Sequence, residues 1–269
     1  MSRIVDLPLR IVPPQILGAR RPQRMLERQW IVNRSGGWVI LLSGFFEPLF
    51  YLLSIRVGFG ALVGDVTDGG RTVPYAEFVA PALFAASAMN GAIYESTNIF
   101  FKLKYDKVYD AALATPLTSG DVTLGEMLYA TIRGTLYSIT FLLTMAVLGM
   151  TRSWWVLSLV PLAALISFAF SAVATALVTY MRTHADFEFV PSIMLPMFLF
   201  SATFYPLSAY GKWGWVVQLS PLYHAVAVAR GVNLGDWSWA YVAHLVVLVA
   251  LALIGLTVTA RRIDHLLLK

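Results

Sequence analysis

Three ionisable residues lie within stretches of sequence that are otherwise apolar. Glu47 stands in the tetrapeptide FFEP at 45–48, and Glu95 and Arg133 lie in two later apolar runs. A charged side chain at the centre of a bilayer costs about 2.5–3.5 kcal/mol on insertion scales, so each should face protein or water, or be neutral. Two interpretations stay open. These residues line or gate a pathway, Glu95 pairing with Arg133, or they serve structure, since Glu47 precedes Pro48 and could bond backbone groups that the proline frees.

Motifs for covalent or ATP chemistry are missing from the sequence. No GxxxxGK[ST] phosphate-binding loop occurs, because the nearest Gly-Lys pair, Gly211-Lys212, has Pro206 in place of the first glycine. Nothing resembles a nucleophile with its base. His224 and His244 have no second ligand at metal spacing, and the chain has no cysteine. We expect no catalytic residue, metal or cofactor in this chain; ATP and Mg²⁺ would be bound by a partner ATPase.

The elements that position these residues must be membrane helices. Of 269 residues, 58% are hydrophobic and 13% charged, against roughly 45–50% and 25% in soluble domains. Each helical span needs about 20 apolar residues, which leaves room for roughly six. The fold class predicted is all-α integral membrane, with a cytosolic N-terminal segment at 1–35 and a six-span domain at 36–269. Prolines and arginines interrupt any cleavable signal in the first 35 residues.

Hydropathy gives the positions of the spans. Five segments predict spanning helices directly, and a sixth, at 189–207, is interrupted by Pro191 and Pro196 and is expected to be kinked. The six predicted spans are 38–57, 78–101, 122–149, 156–181, 189–207 and 241–260.

Charge sets their orientation. Most of the 20 Lys and Arg residues fall in 1–35, 102–121, 182–188 and 261–269, which share one face if six helices span. The positive-inside rule makes this face cytosolic, with both termini. A seventh span at 213–234 would push Arg261 and Arg262 outside, so we predict there two short helices, an outer re-entrant hairpin before the last span. Six tryptophans fall at the same outer interface: Trp154, Trp155, Trp213, Trp215, Trp237 and Trp239.

The charged connector KYDKVYDAALATP begins at Lys104 and lies between two spans on the cytosolic face. Five of its residues recur at helical spacing and predict one apolar face, with Asp106, Lys107 and Asp110 on the other side. Those five are Tyr105, Val108, Tyr109, Ala112 and Leu113. Pro116 should end this helix at Thr115. Balanced charge and two tyrosines favour docking of a partner protein over binding of lipid, although a plain connecting helix is the alternative.

The segment before the first span combines arginines with Trp30 and aliphatic residues. Such a pattern suits a helix lying in the inner headgroup region, with anionic lipid as its partner; plain positive-inside anchoring is the alternative. Nucleic acid is not an expected partner, because the same charge lies beside a membrane.

Residues 58–134 resemble the membrane subunit of type-2 ABC exporters, most of all the nodulation-type lipo-oligosaccharide export permeases and, more distantly, the daunorubicin-resistance-type drug export permeases. The resemblance covers nearly the whole chain from Trp30. Its motifs are FVAP at 78–81, Ala88-Met89, Tyr94-Glu95, the 102–116 helix, Gly120-Asp121 followed by Gly125-Glu126, and QLSPLYH at 218–224 with Arg230-Gly231.

The resemblance implies six spans, a helix on the cytosolic surface, a coupling helix after the second span and an outer returning hairpin before the sixth. Such permeases work as dimers, with a second copy or a sister permease, and are held by two copies of a separate ATPase in the bacterial plasma membrane. The coupling role would fall on Tyr105, Asp106, Lys107, Tyr109 and Asp110. The cargo would be amphipathic: a lipo-oligosaccharide, a glycolipid or a hydrophobic drug.

Two other function classes stay open from the residues alone. A proton-coupled secondary transporter would use Glu47 and Glu95, and a membrane-bound transferase would act on a lipid. Flux that follows the proton gradient without an ATPase would favour the first, and product formation by the purified chain the second.

Overall fold

The computed structural model describes residues 19–34, 46, 49–68 and 70–267, apart from the side chains of Ala61 and His184. Within these residues the chain is mostly helical. In chain order the elements are α1 Pro22–Asn33, α2 Leu49–Phe59, α3 Gly60–Val63, β1 Asp65–Asp68, β2 Arg71–Pro74, α4 Tyr75–Lys104, α5 Val108–Leu113, α6 Ser119–Val147, a 3₁₀ turn Trp154–Ser158, α7 Leu159–Val178, a 3₁₀ turn His184–Glu188, α8 Phe189–Leu199, a 3₁₀ segment Leu207–Trp213, α9 Gly214–Gln218, α10 Pro221–Leu234 and α11 Ala240–Leu267.

Among the described residues, four helices are long and apolar enough to cross a membrane: α4, α6, α7 with its preceding turn, and α11. They coincide with the predicted second, third, fourth and sixth spans. Most of the predicted first span lies outside the described residues, and its described end is α2, whose second half is π-helical. The predicted fifth span is shorter than expected: α8 ends at Leu199, because the backbone leaves helical geometry at Phe200 and turns left-handed at Ala202 (φ 55°).

The centre of the bundle is α4, which packs against α6, α7 and α10. Small residues allow this close approach. A Cβ atom on Gly134 of α6 would lie 2.6 Å from the Ala88 carbonyl oxygen of α4, and one on Gly91 would lie 2.9 Å from the Gly134 Cα. Helices in lipid gain little from the hydrophobic effect between them, so tight backbone packing at small residues is their main source of association.

The structure adds one small strand element that the sequence analysis did not predict. Strands β1 and β2 form an antiparallel hairpin in which Val66 pairs with Val73 and Thr67 with Thr72. The sequence carried a signal for it: β-branched residues on both sides of Asp68-Gly-Gly, a dipeptide pattern that favours tight hairpin turns. The apolar runs on either side of this hairpin concealed the signal.

Arg230 of α10 holds this end of the bundle together. Its side chain is buried, donates to the main-chain carbonyls of Phe78 (3.2 Å) and Ala202 (2.7 Å), and lies 3.6 Å from the Asp68 carboxylate. The guanidinium also stacks over the Phe78 ring at 3.7 Å. One arginine therefore ties the hairpin, α4, the turn after α8 and α10 to each other, and the left-handed Ala202 presents its carbonyl to that arginine.

The segment 213–234 contains two helices, α9 and α10, as predicted, and α10 packs against α4 and α11. The tryptophans expected at the outer interface all lie at the protein surface; Trp154 is 92% exposed and Trp239 81%.

Candidate functional site

The charged connector forms a short helix that begins later than the sequence predicted. The predicted helix included Tyr105 and ended at Thr115, but α5 begins at Val108, and Tyr105 is 64% exposed. The main-chain N–H groups of Tyr105 and Asp106 both donate to the Phe101 carbonyl and end α4. Lys107 then adopts a left-handed φ of 48°, which reverses the chain. Tyr105 therefore does not share the apolar face of the helix, and that part of the prediction was wrong.

The apolar face of α5 is inserted into the base of the bundle. Tyr109 is 1% exposed and packs in one cluster with Met25 of α1, Phe100 of α4, Val122 of α6 and residues of α7. Its hydroxyl approaches the Glu126 carboxylate without the geometry of a hydrogen bond. Burial, followed by the charge of Glu126, raises the pKa of Tyr109 well above its ordinary value. The phenol is therefore neutral at physiological pH and fixes the helix by packing.

The other face of α5 presents charge to solvent. Asp106, Lys107 and Asp110 are all exposed. Of the five residues assigned a coupling role, these three and Tyr105 are accessible to another molecule, whereas Tyr109 is not. We call Asp110 of α5, together with Asp106 and Lys107 of the turn just before it, the charged surface of α5. The buried packing of Tyr109 holds this helix in place.

Beneath α5 lies a network of buried charges, which we call the ionic network: Glu95, Lys102, Glu126 and Arg133. Lys102 Nζ lies 2.7 Å from Glu126 Oε2 and 3.7 Å from Glu95 Oε1, and Arg133 Nη1 donates to Glu95 Oε2. Glu95 and Glu126 are 3% and 1% exposed. Two acids and two bases thus balance each other inside the bundle, which offsets the large cost of burying each charge alone. The predicted pairing of Glu95 with Arg133 is present.

Helix α1 is attached to the same network. Gln29 Nε2 donates to Glu126 Oε1 at 2.6 Å, and the Arg21 N–H donates to Asp121 Oδ1 at 2.7 Å. The Asp121 carboxylate also closes a capping box with Thr118 at the start of α6. Gly125 lets α1 lie on α6, since a Cβ there would meet the Met25 Cβ at 2.4 Å. Trp30, Ile31 and Val32 point outward, as expected of a helix that lies on lipid.

Arg133 links the ionic network to a cavity on the side of the bundle. The cavity has a volume of about 360 Å³ and lies between α2, α4, α6 and α8. Its polar lining comes from Tyr51, Asn90, Tyr94, Arg133 and Tyr137, with Phe198 among the apolar residues. This mixture suits a ligand that has both apolar and hydrogen-bonding parts.

The sequence analysis did not predict the burial of Gln29, Lys102 and Glu126. Lys102 and Glu126 appeared only within motifs of the resemblance, because each lies near a predicted helix end where polar residues are ordinary. His224 and His244 were treated as isolated, which was wrong: their Nδ1 atoms lie 2.7 Å apart across α10 and α11. Glu47 lies outside the described residues.

The ABC-2 type transporter family matches residues 23–234. The chain is 30% identical over 206 residues to nodulation protein J of Sinorhizobium fredii, covering 76% of this chain and 77% of the relative. It is 28% identical over 212 residues to nodulation protein J of Rhizobium meliloti, covering 78% and 79%. The resemblance in the sequence is confirmed: this chain belongs to the ABC-2 type transporter family and is a membrane subunit of an ABC transporter.

Proposed function

We propose that this chain is the permease subunit of an ATP-driven exporter, and that a separate ATPase binds it at the charged surface of α5. The observation that carries the proposal is the two-sided structure of α5: charge on the face toward solvent, and Tyr109 buried on the face toward the bundle. Because Tyr109 packs inside the bundle, a displacement of α5 should also move the helices that it contacts.

The ionic network connects α5 to the cavity. Tyr109 contacts the cluster around Val122 of α6, and the Glu126 carboxylate lies beside its hydroxyl. Glu126 is joined through Lys102 to Glu95, and Glu95 is joined to Arg133, which lines the cavity. Movement of α5 is thereby connected to the cavity wall by direct contacts. In this proposal Glu95 and Arg133 belong to the pathway or its gate, and Glu47 of the first span remains a candidate for the same role.

The substrate we propose is an amphipathic molecule, such as a lipo-oligosaccharide, a glycolipid or a hydrophobic drug, moved out of the cytosol or inner leaflet. Tyrosines, an asparagine and an arginine beside apolar residues are suited to a molecule with a polar head on an apolar body. The relatives named nodulation protein J come from bacteria, which agrees with a bacterial membrane as the location.

The assembly we propose has two permeases, either two copies of this chain or a pair of sister chains, with two ATPase subunits. It lies in the plasma membrane of a bacterium with six spans, both termini and α5 in the cytosol, and α9 with α10 re-entering the outer leaflet. Anionic lipid contacts α1 through its arginines and exposed Trp30.

A proton-coupled mechanism is less well supported, because Glu95 accepts from Arg133 and faces Lys102. These ion pairs account for the carboxylate inside the bundle without any coupling to protons.

The test is charge reversal on the surface of α5. The double variant Asp106→Lys with Asp110→Lys should insert and fold normally, because both side chains are exposed, yet lose co-purification with the ATPase and transport-coupled ATP hydrolysis at least tenfold. The matched control is Asp65→Lys in β1, an equally exposed carboxylate on the outer face, which should retain both. Undiminished coupling in the double variant would disprove the role of α5.

A further inference from the structure

Two histidines separated by 20 positions in the sequence meet on neighbouring helices. His224 of α10 and His244 of α11 have their Nδ1 atoms 2.7 Å apart. The ring centroids lie 4.9 Å apart at an interplanar angle of 49°. Tyr223 packs edge-on against both rings, with centroids at 5.5 and 5.7 Å. The two imidazoles therefore form one cluster with a defined orientation.

The two rings share one hydrogen. Two Nδ1 atoms 2.7 Å apart require that one donates and the other accepts. In each ring Nε2 takes no part in this contact, so it can carry the hydrogen that a metal-binding histidine donates to a carbonyl, a carboxylate or water.

We propose that His224 and His244 bind a divalent transition-metal ion through their Nδ1 atoms. The ion takes the place of the hydrogen between the two nitrogens, and the proton of the donating ring moves from its Nδ1 to its Nε2, so that both rings stay neutral. Metal–nitrogen bonds of about 2.0–2.1 Å at angles of 90–110° place the nitrogens about 2.9–3.4 Å apart. The pair has to open by about 0.2–0.7 Å, which rotation of the rings about the soft χ2 torsion provides.

The ligand set indicates which metals bind and how tightly. Imidazole nitrogen suits Zn²⁺, Ni²⁺ and above all Cu²⁺, which forms the strongest complexes among these ions. In the described part of the chain no group of three or more His, Asp or Glu residues gathers at metal spacing, so water must complete the coordination of the ion. A site with only two protein ligands holds its ion less tightly than a closed structural site with four. We infer an exchangeable site and not a permanent structural one.

A metal ion bound by the two histidines would connect α10 to α11. His244 lies four residues after the start of α11, about 6 Å along the helix, and the preceding loop carries exposed Trp237 and Trp239. A bound ion joins α10 to α11 and restricts their relative movement. The site itself does not depend on the proposed transport role; only the arrival of the ion from outside the cell depends on the proposed topology.

The decisive experiment titrates the purified full-length chain, carrying a tag without histidine, with Cu²⁺ and records its electron paramagnetic resonance spectrum. We expect one Cu²⁺ per chain with hyperfine splitting from two imidazole nitrogens, and a rise of several degrees in unfolding temperature with Zn²⁺. His224→Gln and His244→Gln should each weaken Cu²⁺ binding at least tenfold. Glutamine can keep a hydrogen bond there but is a poor ligand for these metals. The control is His265→Gln, about 30 Å further along α11, which should bind Cu²⁺ as the natural chain does.

Equal Cu²⁺ affinity in the natural chain and in either of the two glutamine variants would overturn the proposal, as would an equal loss in His265→Gln. A measurement on the natural chain alone guards against misfolded variants. Zn²⁺ should protect residues 224 and 244, but not 265, from acylation by diethyl pyrocarbonate, detected by mass spectrometry. Labelling at 224 and 244 that is the same with and without Zn²⁺ would also overturn the proposal.

Discussion

At the scale of single residues, the ionic network explains how charge can lie inside this bundle. The pair Glu95 and Arg133 could be anticipated because each lies deep in an apolar run, where an unpaired charge is costly. Lys102 and Glu126 could not be, because a charge near a helix end is ordinary and nothing in the sequence says that it turns inward. Only the packing of α1 over α6 buries Glu126 and makes its partners, Gln29 and Lys102, necessary.

Removing the ammonium group of Lys102 should destabilise the protein strongly. Lys102→Met roughly keeps the length of the side chain but leaves the buried Glu126 with only the neutral Gln29 as a partner. Removing one member of a buried ion pair costs about 3 kcal/mol or more. We expect the unfolding temperature of the chain in detergent to fall by several degrees. Lys104→Met, an exposed lysine two residues later, is the matched control and should change it little. Equal stability of the two variants would mean that Lys102 is not a buried partner of Glu126.

At the scale of elements, helical spacing predicted the correct face of α5 but not its first residue. Val108, Tyr109, Ala112 and Leu113 all pack toward the bundle, as the pattern required. Tyr105 fits the same spacing and nevertheless lies outside, because the end of α4 and the left-handed Lys107 interrupt the helix between them. Periodicity identifies a face only while one helix continues, and a left-handed residue other than glycine or asparagine is hard to foresee.

Tyr109 should matter for its volume and not for its hydroxyl. Tyr109→Phe keeps the ring and removes a hydroxyl that has no hydrogen-bond partner in the described structure, so both stability and coupling should be nearly unchanged. Tyr109→Ala empties the site, which for large aromatic residues costs about 3–5 kcal/mol, and should release α5 from the bundle. ATP hydrolysis coupled to transport, and cleavage of the connector by a protease, measure the two effects. Loss of coupling in Tyr109→Phe would instead assign the hydroxyl a direct role.

The attachment of α1 depends on the absence of a side chain at Gly125. Gly125→Leu should push α1 off α6, because even the first carbon would overlap Met25, and this would also break the Gln29 to Glu126 hydrogen bond. We expect faster proteolysis of the N-terminal segment and a lower unfolding temperature. Gly58→Leu is the control, since no atom lies within 4 Å of a Cβ built there. Similar proteolysis of both variants would show that α1 does not rest on Gly125.

At the scale of the whole molecule, hydropathy predicted most of the bundle but missed the hairpin of β1 and β2 at one end of it. The long spans α4, α6, α7 and α11 are visible in composition because lipid demands continuous apolar runs. The hairpin of β1 and β2 and the role of Arg230 depend on contacts between distant segments, since Arg230 reaches Asp68, Phe78 and Ala202. Such contacts leave no periodic signal, and a lone arginine in an apolar stretch predicts only that some partner exists.

The orientation of the molecule determines whether a cytosolic ATPase can reach α5, and the absence of cysteine makes that orientation directly measurable. A single cysteine at Lys107→Cys, in the connector, should react with a membrane-impermeant thiol reagent only after the cells are opened. A single cysteine at Thr72→Cys, on the exposed side of β2, should react in intact cells. The two positions are both exposed in the folded chain, so a difference in labelling reports the side of the membrane and not burial. Labelling of Lys107→Cys in intact cells would place the charged surface of α5 outside, where no ATP-hydrolysing partner could use it.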